Sequence, residues 1–381
     1  MKSIRKTLIE VQEFCKEKDE IYIYGNGKYG QNCKRILDYL NIPVKAFLVS
    51  SIEPDSENRK SEGIPVIQWD SSMAKTIQNG GILVAVSKLS HYEVVSRIKG
   101  LPYMFYEIPQ YSMVEITTKI GCSVNCKYCP QKKLIDTYSK KSDEFYLKMD
   151  NFIQILKHIP TVTFIRFCGM CEPFLNPECA DMIVYAKEHG FCVDCYSTLV
   201  GLKISDVTRV LDAVDDFVPH IPDKNGNAVI EVTDEYISVL KMVLEYKRDG
   251  KRLVKIVSVH GEIDDRIKGL IPEDIEISCC MQDRAGNLDG EDLEIIRYEF
   301  ESPVRCEFCH NRLDSNILLP NGDLLMCCMD YGMEYIFGNL LEDPYEKVVN
   351  STEANRIRAA LISGNPKTIC NYCMCAEELL G

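Results

Sequence analysis

Three cysteines share one short stretch, Gly121-Cys122-Ser123-Val124-Asn125-Cys126-Lys127-Tyr128-Cys129-Pro130. Iron–sulfur clusters are held by cysteine thiolates, and a four-iron cluster has four irons to satisfy. Three thiolates leave one iron without a protein ligand, and an open coordination position is what separates a catalytic metal centre from a closed structural one. The competing reading is a zinc knot or three buried thiols. Zinc sites pair Cys-x2-4-Cys with a second ligand pair nearby, whereas the chain up to Phe167 supplies no further cysteine and only His158.

The spacing Cys122-x3-Cys126-x2-Cys129, with Tyr128 just before the third cysteine, resembles the signature of the radical S-adenosylmethionine (radical SAM) enzymes. In that family the open iron is chelated by the amino and carboxylate groups of SAM. The resemblance therefore implies a SAM-binding 4Fe-4S cluster on Cys122, Cys126 and Cys129, with Tyr128 beside the cofactor. Farther on, Phe167-Cys168-Gly169-Met170-Cys171-Glu172-Pro173 looks like the family's Gly-Gly-Glu-Pro element, which implies that Gly169, Met170, Cys171 and Glu172 receive the SAM amino group. A carboxylate and free carbonyls are natural partners of an ammonium. Cys171 stands where glycine is usual. Cys168 and Cys171 also mimic a Cys-x2-Cys metal pair and are read here as buried thiols, since free cysteine behaves as a small hydrophobe. Ser197, Thr198 and Arg284 are candidates for the SAM carboxylate, Arg284 through two parallel hydrogen bonds. The run Arg284-Ala285-Gly286-Asn287 recurs in related radical SAM proteins. His220, Asp223 and His260 are the candidate substrate-facing catalytic groups, because histidine titrates near neutral pH.

A second cysteine group follows, with Cys306, Cys309, Cys327, Cys328, Cys370, Cys373 and Cys375 around a turn at Pro320-Asn321-Gly322. It resembles the Twitch domain, the shortened form of the SPASM domain that binds an auxiliary 4Fe-4S cluster. The resemblance implies Cys309, Cys327, Cys370 and Cys373 as the four ligands of one auxiliary cluster, with Cys306 the alternative first ligand. A zinc ribbon has the same donor types.

The elements that must position these groups follow from patterning. Six apolar strand candidates alternate with helical stretches after residue 110: 113–118, 162–167, 191–197, 216–220, 254–260 and 275–279. Strands separated by helices imply parallel pairing with right-handed crossovers, and reacting groups gather at the carboxyl ends of such strands. The radical SAM resemblance implies a partial (β/α)6 barrel over residues 110–300, followed by a Twitch-type iron–sulfur domain over 301–381. Residues 1–109 alternate strand and helix as a small doubly wound sheet. There Ile21-Tyr22-Ile23-Tyr24 runs into Gly25-Asn26-Gly27-Lys28-Tyr29-Gly30. Gly25, Gly27 and Gly30 form a candidate nucleotide site at a helix N-terminus, or a glycine turn with no ligand. The second strand ends in Ser50-Ser51 rather than an acid, which argues against NAD. This segment looks like the Rossmann-like domains that accompany enzymes of bacterial surface-polysaccharide and sugar-nucleotide metabolism.

Composition narrows the partners. A net charge of −13 over 381 residues, with no basic run, argues against a nucleic-acid groove or an anionic membrane. Nineteen cysteines in a long chain that opens Met1-Lys2-Ser3-Ile4-Arg5-Lys6, without an apolar signal core, read as metal ligands in a cytoplasmic protein. No apolar run reaches the roughly eighteen residues a transmembrane helix needs. The resemblance implies an oxidoreductase that cleaves SAM reductively and abstracts hydrogen from a small-molecule substrate, fed by an electron donor such as flavodoxin or ferredoxin. The Rossmann-like segment and polar strand ends favour a sugar, sugar nucleotide or cyclitol. A peptide-modifying maturase and a non-catalytic, zinc-stabilised nucleotide-binding module are the alternatives.

Overall fold

The computed structural model describes residues 4–51, 60–61, 63–77, 79–86, 90–105, 112–279, 283–288, 296–301, 303–306 and 313–379. The chain divides into two compact units, Lys2–Tyr111 and Ser112–Gly381.

In the first unit, β1 (Ile21–Tyr24), β2 (Val44–Val49), β3 (Lys60–Ser61), β4 (Ile64–Gln68), β5 (Gly81–Val84) and β6 (Tyr103–Phe105) form one sheet in the order β3-β4-β2-β1-β5-β6. All pairings are parallel except that of the short edge strand β3 with β4. Every residue of β1 and β5 is buried, as expected where a parallel sheet is covered on both faces. The chain leaves β1 for β2 on one side and returns to β5 on the other, so the glycine turn after β1 sits where the strand order reverses. A Cβ on Gly25 would stand 2.4 Å from the Ala85 carbonyl, and one on Gly30 would stand 1.9 Å from the Gly25 carbonyl. Close packing of turn, strand and helix therefore accounts for both glycines, whereas a Cβ on Gly27 would meet nothing within 4 Å.

The second unit begins with β7 (Met113–Ile116), β8 (Phe164–Phe167), β9 (Cys192–Ser197) and β10 (Asp216–Pro219), adjacent and parallel in chain order. Helices Met149–Lys157, Cys179–Glu188 and Val207–Ala213 form the crossovers. Apolar residues such as Val114, Ile165, Phe167, Val193 and Phe217 are fully buried beneath them. Helix Asp234–Glu245, capped by the Thr233 hydroxyl accepting from the Tyr236 amide, leads through a hairpin of β11 (Lys247–Arg248) and β12 (Lys251–Arg252) to β13 (Ile256–Ser258). β13 pairs in parallel with β14 (Glu276–Ser278), and a bridge between His220 and Ser258 joins β13 to the end of β10. Six parallel strands thus follow one another in sequence order.

β15 (Val304–Cys306), β16 (Ser315–Leu318), β17 (Asp323–Leu325), β18 (Ile336–Asn339) and β19 (Ala376–Glu378) complete the unit. The expected boundary at residue 301 does not separate two compact units. β16 pairs in parallel with β7, Leu318 opposite Ile116, and the β16-β17-β18 meander extends the same sheet. The turn at Gly322 (φ 89°) makes the expected hairpin. Among the described residues, no helix is long and apolar enough to cross a membrane.

Candidate active site

The cysteine loop leaves the carboxyl end of β7 and is tied down by its backbone. The Lys127 amide donates to the Asn227 carbonyl at 2.8 Å, the Val229 amide to Val124 at 2.8 Å, and the Cys129 amide to Cys126 at 3.1 Å. Gly121 (φ 85°) and Asn125 (φ 52°) take the left-handed conformations that turn the loop. Cys122, Cys126 and Cys129 all face one cavity of about 410 Å³. Burial raises Cys122 and pushes Cys126 up to about 12, shifts that a bound metal reverses by deprotonating the thiol outright. Soft thiolate donors suit an iron–sulfur cluster or zinc. Among the described residues, no three Cys, His, Asp or Glu side chains converge as ligands of a single ion do. A cluster instead offers separate irons to separate thiolates, and three thiols on one cavity wall fit it.

The Gly169–Glu172 turn follows β8. Gly169 (φ 42°) is obligatory, because a Cβ there would lie 2.5 Å from Thr117 Oγ1 and 2.6 Å from the Ile116 carbonyl. The Met170 amide donates to Thr117 Oγ1 at 3.1 Å, and the Met170 carbonyl accepts from Gln131. That carbonyl, expected to receive the SAM ammonium, already has a donor. Glu172 accepts from the Phe174 amide at 3.1 Å, from Ser197 Oγ at 2.7 Å, and from the Thr198 amide and hydroxyl at 2.6 Å each. Burial nevertheless raises its pKa, against these hydrogen bonds. Thr198 and Glu172 line the cavity. Ser197 is 2% exposed and spends its hydroxyl on Glu172 while accepting from the Leu199 amide, so it acts by holding Glu172. The Cys171 sulfur lies 3.6 Å from Thr118 Oγ1, and burial pushes its thiol to about 12 and the Cys168 thiol well up. Both are protonated thiols on the cavity wall.

His220 and His260 reach the cavity from the ends of β10 and β13. The His260 ring packs on Tyr128 with centroids 4.1 Å apart and meets His220 edge-on at 6.0 Å. Burial lowers both to about 4, aided at His220 by His260 and Arg284 and at His260 by Arg284. Both imidazoles are therefore neutral at pH 7. Asp223 departs from expectation. Its carboxylate accepts the Asn227 and Ala228 amides at 3.0 Å each, bracing the segment that anchors the cysteine loop, and it does not line the cavity. Arg284 (φ 54°) is buried among Tyr331, Cys328, Cys129 and Glu115, with thiols of both cysteine groups in its electrostatic reach.

The second cysteine group forms another wall of the same cavity, through Cys306, Cys327, Cys328, Cys370, Cys373 and Cys375. Cys370 lies in electrostatic contact with Cys306 and Cys373, and Cys327 with Cys328, Cys370 and Cys373. The Cys375 amide donates to Cys373 Sγ at 3.4 Å. Cys309 lies outside the described residues.

Several residues at the cavity escape the motif reading. Glu115, Arg166 and Asp194 occupy one register row across β7, β8 and β9, and Glu115 and Arg166 reach the cavity floor. Arg166 donates to Asp194 at 3.0 Å, lies 4.5 Å from the Tyr196 ring centroid, and stands 3.8 Å from Glu115. Burial raises the Glu115 pKa, and the Cys168 thiol hydrogen-bonds its carboxylate. The signal was a charge at the same place in three otherwise apolar strands. Gln131 and Tyr331 complete the set, and neither belongs to a recognisable spacing.

These features set two cysteine groups around one cavity, a donor arrangement suited to iron–sulfur clusters. Residues 309–374 match the SPASM iron-sulfur cluster-binding domain. The chain is 26% identical over 245 residues to the biotin synthase of Buchnera aphidicola subsp. Acyrthosiphon pisum (strain 5A), covering 58% of this chain and 70% of that protein. Among solved structures it is similar to BtrN in complex with AdoMet and 2-DOIA, at 14% identity and TM-score 0.46, over 71% of this chain and 94% of that one. It is also similar to Streptococcus suis SuiB bound to precursor peptide SuiA, at 14% identity and TM-score 0.41, over 91% and 81%. The chain is thus similar to radical SAM enzymes over part of its length, and its residues 309–374 match an iron–sulfur cluster-binding domain.

Proposed function

We propose that this enzyme abstracts hydrogen from a small polar substrate, a sugar, sugar nucleotide or cyclitol, at the cavity between the two cysteine groups. The observation that carries this reading is the single cavity of about 410 Å³ bordered by both groups, with Glu115 and Arg166 on its floor. That volume falls in the range of small-molecule sites. When bound, SAM and the clusters supply a 5'-deoxyadenosyl radical and a path for the electron left on the substrate. Cys122, Cys126 and Cys129 hold the SAM-binding cluster, and Cys327, Cys370 and Cys373, with Cys306 or Cys309, hold the auxiliary one. Glu172, fixed by Ser197 and Thr198, offers a rigid acceptor to the SAM ammonium, and Arg284 a donor to its carboxylate. His220 and His260 hydrogen-bond the substrate as neutral imidazoles. Glu115 accepts from a substrate hydroxyl while Arg166 donates to one. The glycine turn after β1 lies at a strand-order reversal, where open α/β sheets bind ligands, and Gly27 leaves room there for the phosphates of a nucleotide in a Rossmann-like domain. The reading places the enzyme in the cytoplasm, fed by flavodoxin or ferredoxin.

Two measurements test it. Anaerobic Cys126→Ala protein should lose all SAM cleavage under dithionite, and retained cleavage would mean that other cysteines hold the cluster. Deuterated sugars, sugar nucleotides and cyclitols should include a compound that passes deuterium into 5'-deoxyadenosine. Transfer only from a peptide would overturn the substrate class.

A further inference from the structure

Cys129 is touched by two side chains that no cysteine motif contains. The Tyr331 hydroxyl lies 3.6 Å from Cys129 Sγ, and Gln131 Nε2 lies 3.6 Å from the same sulfur, contact distances that the large radius of sulfur makes ordinary for a hydrogen bond. A metal-bound thiolate carries no proton, so in both contacts the protein O–H or N–H must donate. The geometry is well supported. Gln131 is 8% exposed, and its amide also donates to the Met170 carbonyl. Tyr331 is 3% exposed and sits in a turn closed by Asp330, which accepts the Glu334 and Tyr335 amides at 2.9 and 2.8 Å. Asn287 fastens this arm to the Arg284 turn by donating to the Met329 carbonyl at 2.9 Å and to the Arg284 carbonyl at 2.7 Å.

We propose that Tyr331 and Gln131 are positioning residues that set the reduction potential of the cluster at Cys122, Cys126 and Cys129, by donating hydrogen bonds to the Cys129 thiolate. The inference rests on the reading of that triad as the cluster's ligands. Hydrogen bonds to ligand sulfurs withdraw electron density and stabilise the more negative, reduced cluster, which raises its potential. Tyr331 lies just beyond Cys327 and Cys328, so the arm carrying the second cysteine group reaches across the cavity to the first. The potential of one centre thereby depends on the placement of the other's scaffold.

The test is an EPR-monitored redox titration of anaerobically reconstituted full-length wild type, Tyr331→Phe, Gln131→Met and the double variant. It follows the cluster signal that changes on adding SAM. Each single variant should move that midpoint to a more negative potential and the double variant farther, with the auxiliary cluster's midpoint unmoved. An unmoved or more positive midpoint in both single variants overturns the proposal. If one variant fails to fold by circular dichroism, the other still reads one of the two hydrogen bonds. A wild type lacking any SAM-sensitive signal sinks the cluster assignment itself, a result distinct from an unmoved midpoint.

Discussion

At the scale of single residues, the site is built from polar groups held where water is scarce, and their protonation follows from burial. His220 and His260 hold folded values near 4 against an ordinary value of 6.5. Between those values the unfolded chain binds protons that the folded chain refuses, so these two groups make stability fall as pH drops from 6.5 towards 4. Glu115 and Glu172, both raised, act in the opposite sense above the ordinary carboxylate value. The difference between wild type and His220→Asn isolates the histidine contribution: the variant should lose less stability over that window in denaturant titrations. Gly169→Ala should cost about 1–3 kcal/mol through its strained backbone, and more through the clash with Thr117 Oγ1, read as a lowered urea midpoint. The triad, Gly169 and Glu172 stand out in the sequence because each belongs to a fixed spacing. The tasks of Ser197 and Asp223 were not, since a hydroxyl or carboxylate near a strand end serves a ligand or a neighbouring backbone amide equally well until the fold brings the two together.

At the scale of elements, periodicity located the strands well. All six strand candidates from 113 to 279 overlap observed strands, and the run Ile21–Tyr24 does so in the first unit, because buried apolar runs between helices have few other ways to pack. Periodicity says nothing about which strand lies beside which at a distance in sequence. That is why the hairpin β16-β17 read as part of a separate domain, whereas it extends the sheet from β7. Its inner residues Ile317, Leu318 and Leu324 are at most 1% exposed. Asn316→Pro removes a ladder donor beside β7 and, by leaving its buried partner unsatisfied, should destabilise the whole second unit by roughly 1–3 kcal/mol. Limited proteolysis should then cut within 112–318 as well as in the C-terminal arm. A variant cut only in the arm would show that the two parts fold separately.

At the scale of the whole second unit, the two cysteine groups share walls of one cavity, and Arg284 lies between them. Iron and labile sulfide should fall by about half in Cys126→Ala and again by about half in Cys370→Ala, as each change empties one site. Chelation of both clusters from the wild type should lower its melting temperature more than chelation from either variant, since bound metal stabilises only the folded state.

The pairing of Ser315 with Met113 also has a consequence for biosynthesis. At about 5–20 residues per second, roughly 10–40 s of translation separate β7 from the strand that covers its edge. Cys129 and Tyr331 are separated by the same 202 residues. The nascent chain therefore carries an open sheet edge and an exposed thiol loop until residues 315–331 are made. With the triad holding a cluster as proposed, stable insertion there should await the covering strand, and a ribosome stalled before residue 315 should hold a polypeptide that accepts no iron there.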